Sequence, residues 1–257
     1  MIKGKEILLR ADAIEKYYGS QGSAAKALDK VSFCVQRGEF ISIMGPSGSG
    51  KTTLLNCIST IDTVSKGRIF ISGQDTTGMD GEQVAAFRRN HLGFVFQDFN
   101  LLDTLTVEEN IALPLTIRGI SPEEIYTRVR LMADKMQISD VVSRFPYQIS
   151  GGQRQRCAFA RAVIAEPELI MADEPTGSLD SGSSRILLET MSRFHEEISA
   201  TILMVTHDAL CASYADRILF LKDGRIFNEI FRDGRTRNIF YNEILEILRQ
   251  IGGGEIC

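Results

Sequence analysis

The spacing of apolar positions changes along the chain, and each change marks a different kind of element. In the first half they come as short runs cut by turn residues. VSFCVQ (31–36) and FISIMG (40–45), split by Arg37-Gly38-Glu39, predict two strands. From Lys51 to about Ile61 the spacing is helical, with Leu54, Leu55 and Ile58 on one face. GRIFISG (67–73) and LGFVFQ (92–97) predict two more strands. From about Thr106 to Ile164 the pattern is mostly helical. TVEEN at 106 offers a threonine cap with acidic first-turn residues, and SPEE at 121 a serine cap with proline at the first helical position. ELIMAD (168–173) and ATILMVTH (200–207) are nearly continuous apolar runs, as central parallel strands covered on both faces require. A helix from about Ser181 to Ile198 joins them. RILFLKDG and RIFNEIF (217–231) predict a closing hairpin around Asp223-Gly224. A last helix, about 237–251, places Phe240, Ile244, Ile247, Leu248 and Ile251 on one side, and GGG follows it. No repeat or low-complexity linker interrupts the pattern.

Composition narrows the class. The 257 residues are 44% hydrophobic and 24% charged, an ordinary soluble globular balance. The net charge of -4 carries no overall basic footprint for nucleic acid, and the run around Arg154 and Arg156 is too short to supply one. No apolar run approaches the roughly 18 residues of a membrane span. The opening MIKGKEILLRADAIEKYYG mixes charge through its apolar residues and does not read as a signal peptide. Cysteines 34, 57, 157, 211 and 257 are odd in number and form no C-x-x-C pair, so reduced thiols are expected rather than disulfides or a zinc site.

Two stretches suit phosphate. GPSGSGKT, Gly45 to Thr52, fits the P-loop pattern G-x-x-x-x-G-K-[ST] and sits between a predicted strand and a predicted helix. There the glycines let backbone amides turn inward around phosphate oxygens. Lys51 adds a point charge, and the Thr52 hydroxyl can ligate Mg²⁺. LIMADE then ends a buried strand in Asp173 and Glu174. Strand alternation would point these to opposite sides, so one can hold Mg²⁺ and the other can orient or deprotonate the attacking water. The second stretch is QISGGQRQR (148–156), where a serine and two glycines precede a helix, a junction that favours an anion.

Tyr18, GPSGSGKT, Gln97, ISGGQ, LIMADE, SLD and His207 occur in the order found in the nucleotide-binding subunits of ABC transporters, and the chain resembles that family over nearly its whole length. One departure is Ile149, where the commoner signature begins with leucine. The resemblance implies a P-loop NTPase α/β core with an N-terminal antiparallel β edge and a helical subdomain, about 98–160, inserted in it. The ATP-binding domain would span 1–233, with 234–257 as a C-terminal helix and tail. It implies ATP and Mg²⁺ as cofactors. Gly45, Pro46, Ser47, Gly48, Ser49, Gly50, Lys51, Thr52 and Thr53 would bind the nucleotide. Tyr18 would stack on adenine, with Tyr17 the alternative. Thr52, Gln97 and Asp173 would serve the metal, Glu174 would be the general base, and His207 would hold the γ-phosphate and order that base. Ser150, Gly151, Gly152 and Gln153 would close over the ATP held by a second copy of the chain, with Ser178 and Asp180 at the subunit contact. That head-to-tail dimer explains two phosphate stretches in one chain.

A separate membrane permease is implied, docking near Phe99 to Leu105, where FNLLDTL is apolar for a loop; packing of the hinge is the alternative. FVFQDFNLLDTLTVEENIALPL (94–115) resembles the macrolide and lipoprotein-release exporters. STIDTVSKG (59–67) and GRTRNIFYNEILEILRQIGGG (234–254) resemble the bacitracin and antimicrobial-peptide resistance transporters of Gram-positive bacteria. That subgroup implies a peripheral place on the cytoplasmic face of the membrane and a sensor kinase beside the permease. The competing readings are an ABC ATPase of cell division or lipoprotein release, and a non-transport ABC ATPase of DNA maintenance. The last would need long coiled coils or zinc cysteines, which the sequence lacks.

Overall fold

Strand β3 (Phe40–Met44) is buried at every position, and the reason lies on its two sides. In the computed structural model, which describes residues 6–19 and 25–251, Ile41 and Ile43 face one apolar cluster while Phe40 faces another. The same double coverage applies to β7 (Leu169–Asp173) and β8 (Thr201–Val205). These strands pair in parallel with β6 (Leu92–Val95) and β9 (Arg217–Lys222) in the order β9-β3-β8-β7-β6. Strand β10 (Arg225–Phe231) closes the edge as an antiparallel hairpin whose tip, Asp223 and Gly224, has left-handed backbone at both residues. The α/β core expected from the apolar runs is thus present.

A second, antiparallel sheet has the order β2-β1-β4-β5, with β1 Ile7–Tyr18, β2 Ala25–Gln36, β4 Lys66–Ile71 and β5 Gln74–Asp75. It covers one face of the core sheet across helix α1 (Lys51–Ile58), whose Leu54, Leu55 and Ile58 are buried between them. Polar ties fix the two sheets together. Glu168, just before β7, accepts from Arg37 (2.7 Å) and from the Ser72 hydroxyl (2.5 Å), and lies 2.6 Å from His91.

The other face of the core sheet is covered by helices. Between β6 and β7 run α3 (Val107–Ile117), α4 (Pro122–Lys135) and α5 (Gly151–Val163), and α6 (Ser181–Ile198) lies beside α5. Thr106 and Ser121 cap α3 and α4 as their sequences suggest. Buried Asn110 staples the preceding loop: the carbonyls of Leu102, Leu105 and Thr106 share the two hydrogens of its amide nitrogen, and its oxygen accepts from Leu102 N–H. Helix α8 (Arg237–Ile251) buries Phe240, Ile244, Ile247 and Ile251, so most of its apolar stripe packs on this chain. The GGG run and Cys257 lie outside the described residues. The cysteines within them, 34, 57, 157 and 211, are free. Elements not expected from the sequence are β1, the first half of β2, β5, and the helices α2 (Gly81–His91) and α7 (Ala209–Ala212).

His195 near the end of α6 joins that helix to the sheet. Its Nε2 lies 2.9 Å from Asp216, and its Nδ1 3.0 Å from the Ala200 carbonyl. Both ring nitrogens therefore face acceptors, which suits the doubly protonated ring. Burial opposes that charge, but Asp216 and the Ala200 carbonyl outweigh it and raise the His195 pKa above its ordinary 6.5. Burial likewise opposes ionised Asp216, but His195, the Phe40 N–H and Arg232 lower its pKa below 3.8. The histidine contribution is complete below 6.5 and is lost as pH rises through the raised value. The aspartate contribution is complete above 3.8 and is lost as pH falls through the lowered value. Urea midpoints measured against pH should therefore show an extra loss as pH rises above 6.5 through the raised value, and His195→Gln should remove that step.

Candidate functional site

Parallel strands bring their carboxyl ends to one edge, and segments leaving them meet there. The loop at 45–50 leaves β3, Gln97 follows β6, Asp173 ends β7, and His207 follows β8.

The loop from Gly45 to Gly50 needs its glycines for stated reasons. A Cβ on Gly45 would stand 2.1 Å from the Leu221 carbonyl oxygen, so only glycine lets the loop pass β9. Gly48 has φ +78, a left-handed conformation, with open space around it. Gly50 caps α1 from the left-handed region. The N–H of Gly224, in the β9–β10 turn, donates to the Ser49 carbonyl at 3.0 Å and holds the loop from behind. The buried Lys51 ammonium donates to the carbonyls of Gly45 (2.9 Å) and Pro46 (3.0 Å). Burial lowers its pKa, while the nearby Glu174 and Asp173 carboxylates pull the other way. Pro46, Ser47, Gly48 and Thr52 are exposed at the mouth of the loop.

Asp173 and Glu174 are separated by a turn rather than by strand alternation. Glu174 has φ +46, a left-handed conformation that costs a non-glycine residue energy, and its N–H donates to Val205 at 2.9 Å. Its Oε2 lies 2.6 Å from His207 Nδ1. Asp173 stays near Lys51; burial and then the Glu174 charge raise its pKa, against the pull of Lys51. Its Oδ1 is buried without a hydrogen-bond partner among the described residues. Gln97 leans on the turn after Glu174: a Cβ on Gly177 would lie 3.0 Å from its amide carbon.

Tyr18, at the end of β1, is 43% exposed, and its hydroxyl donates to Asp62 at 2.7 Å. Lys16 lies 4.9 Å from its ring centroid and donates to the same carboxylate. Burial and then the Asp62 carboxylate raise the hydroxyl pKa, while Thr53 pulls the other way. Tyr17 instead bonds Glu15, with Lys26 and Lys66 near its ring.

Ser150 caps α5: its hydroxyl accepts from Gln153 N–H at 3.2 Å, and Gln153 accepts from Ser150 N–H at 3.0 Å. Among the described residues no hydrogen bond joins Ser150–Gln153 to the 45–53 loop. Gly151 and Gly152 sit instead beside Ser178 and Ser183. Asp180 caps α6, accepting from Ser183 N–H (2.9 Å) and its hydroxyl (2.7 Å), which lowers the Asp180 pKa. Ser178 and Asp180 are exposed. Sequence reasoning missed Lys16, Asp62, Gly224 and Gln155. Gln155 had a usable signal, a polar residue on the buried face of α5 beside Ala158, Phe159 and Ala162.

Residues 28–177 match the ABC transporter family. The chain is 49% identical over 246 residues to the ABC transporter ATP-binding protein YxdL of Bacillus subtilis, covering 96% of this chain and 95% of that protein. It is 45% identical over 246 residues to the bacitracin export ATP-binding protein BceA of Halalkalibacterium halodurans, covering 96% and 97%. The dimeric post-hydrolysis structure of the ATP-binding cassette MJ0796 bound to ADP and Pi is similar, with a TM-score of 0.81 and 37% identity. That match covers 87% of this chain and 98% of that one.

The two loop glycines should differ in cost. Gly48→Ala meets open space and pays mainly for its left-handed backbone, about 1 kcal/mol. Gly45→Ala drives a methyl into a backbone carbonyl and should cost more, about 1–3 kcal/mol or above. Denaturant titration of both variants checks the order.

Proposed function

We propose that this chain, which belongs to the ABC transporter family and is an ATP-binding, ATP-hydrolysing subunit, powers a membrane permease in resistance to antimicrobial peptides of the bacitracin or lantibiotic type. Hydrolysis rests on one observation above all. The Glu174–His207 pair, at 2.6 Å, stands at the strand ends beside Asp173, with both carboxylates close enough to Lys51 to act on its charge. The peptide-resistance part is supported by the similarity to BceA along almost the full length of both chains.

In this reading Lys51 and the amides of residues 45–53 offset phosphate charge, and Tyr18 stacks on the base. Thr52, Gln97 and Asp173 would hold Mg²⁺, and the buried, unpartnered Oδ1 of Asp173 fits a metal-side ligand or its water. The ion, when bound, would neutralise charge on the terminal phosphates. Glu174 takes the proton of the attacking water. His207 orders that carboxylate and reaches the γ-phosphate. Ser150, Gly151, Gly152 and Gln153 face the ATP of a second copy, where the helix end and its free amides favour anionic oxygens. Ser178 and Asp180 lie at that contact.

We read residues 1–233 as the ATP-binding domain, about 98–160 as its inserted helical part, and 234–257 as a C-terminal helix and tail. No helix among the described residues is long and apolar enough to cross a membrane. We read the permease as a separate partner and place this chain peripherally on the cytoplasmic side of the membrane, in line with the family. Leu102, exposed in the loop that Asn110 staples, fits the docking contact near Phe99 to Leu105. A sensor kinase reached through the permease completes the system. Nucleic acid has no part in it.

Glu174→Gln should bind ATP as the wild type does but lose about 10²-fold or more in turnover. In cells, loss of this chain should lower bacitracin tolerance, and the Glu174→Gln variant should fail to restore it. Wild-type turnover in the variant would refute the base assignment, and tolerance unchanged by the loss would refute the resistance role. Ser150→Arg should leave ATP binding by the monomer intact and abolish ATP-driven dimerisation on gel filtration. A monomer that no longer bound ATP would refute the placement of Ser150 at the partner's nucleotide.

A further inference from the structure

The run after Ser150 contains a glutamine that none of these roles uses. Gln155 lies one turn into α5 and is 0% exposed. Its amide nitrogen donates to the carbonyl of Phe96 at 3.0 Å and to the carbonyl of Pro175 at 2.7 Å. An amide nitrogen has two hydrogens, and both are used here. Its Oε1 is buried with no partner among the described residues. Flipping the amide would set that oxygen against two carbonyls, so the carbonyls fix the orientation.

Each carbonyl belongs to the neighbour of a site residue. Phe96 precedes Gln97, and Pro175 follows Glu174. Strands β6 and β7 are adjacent and parallel, so the two segments leave the sheet side by side, and one side chain clips them together. Other residues of α5 reinforce the first segment. Arg161 donates to the carbonyls of Asn100 (2.6 Å) and Phe99 (3.1 Å), and the Arg154 guanidinium lies 4.9 Å from the Phe99 ring centroid. Phe99 and Asn100 both have left-handed backbone, at φ +61 and +49, which such residues keep only when their surroundings impose it.

We infer that Gln155 is a positioning residue for ATP hydrolysis: it fixes the spacing of Gln97 and Glu174 and ties both to the helix that begins at Ser150. This rests on the reading of Gln97 and Glu174 given above. A shift of α5 must carry both segments with it or strand two carbonyls without donors, and an unpaired buried polar group is costly. The helix end that would meet one ATP is thereby coupled to the groups that would act on another. The loop at 45–52 shares no hydrogen bond with Gln155, so nucleotide affinity should be independent of the clip.

Gln155→Met keeps the side chain unbranched and removes both donors. Steady-state ATPase assays on the folded full chain should show kcat reduced about tenfold or more, since small misplacements of reacting groups are costly. KM and monomer affinity for ATP should stay within about twofold, as expected when only the chemical step is touched. An unchanged kcat, or a kcat loss matched by lost ATP affinity, overturns the proposal. Should the Met variant fail to fold, Gln155→Glu decides. A protonated carboxyl can donate one bond, so its activity relative to wild type should rise as pH falls through the range of a buried glutamate. A ratio that does not change with pH overturns the proposal. The underlying reading fails separately, if Glu174→Gln and Gln97→Ala leave wild-type turnover intact.

Discussion

The N–H of Glu174 donates to the Val205 carbonyl at 2.9 Å, and the site depends on that contact. It follows the pairing of Asp173 with Val205 at the end of the β7–β8 ladder, just before the chain turns away through the left-handed backbone of Glu174. Because the ladder is parallel, both strands leave the sheet in one direction. Glu174 and His207 therefore emerge at the same level and meet at 2.6 Å. An antiparallel ladder would send them to opposite ends. Strand β3 shares the register, pairing Ile43 with Val205, which brings the loop that starts at Gly45 to the same edge. The left-handed conformation of Glu174 costs of order 1–3 kcal/mol and persists because bonds on its N–H and its side chain over-determine it.

Helix α5 meets two demands with one end. The first N–H groups of a helix have no partner inside it, so the Ser150 end presents donors whatever else it does. Ser150 spends its acceptor on Gln153 N–H and keeps its hydroxyl proton to donate. The glycines that follow have a reason within the single chain as well. A Cβ on Gly152 would stand 2.5 Å from the Ser183 hydroxyl, so glycine is what allows the starts of α5 and α6 to abut. The Ser-Gly-Gly run therefore satisfies packing within the chain while the Ser150 that opens it stays exposed, and neither requirement excludes the other.

Much of this was legible in the sequence because residue identity answered a backbone requirement. Glycines at 45 and 50 stand where a side chain would strike the chain, and Val, Ile, Leu and Met fill strands covered on both faces. Strand β1 was not legible. Arg10 and Asp12 interrupt its apolar residues, and its pairing with β2 slips between Ala11 and Ile14, so the two-residue period fails just where it would be read. Helix α2 buries only Phe87 and has no apolar stripe; its one signal is the capping pair Asp80 and Gln83. Gln155 was hidden differently. Its place on the apolar face of α5 marks it as turned inward, but only the fold shows that two carbonyls from distant segments converge on it.

The C-terminal helix shows the limit of periodicity, which marks a face for burial without saying what buries it. Phe240, Ile244, Ile247 and Ile251 pack in one cluster with Met44, Ala209, Ala212, Ile218 and Phe220. Each large side chain so buried contributes about 1.5–3 kcal/mol before the entropy of ordering the helix is counted. Met44 is the last residue of β3, directly before the loop at Gly45, and Ala209 begins the short helix after His207 and Asp208. The stripe therefore supports the backs of two segments that form the site. A partner approaching α8 would find exposed Ile239 and the polar face, because the residues that give the stripe its period are already committed to holding β3 and the His207 loop in place.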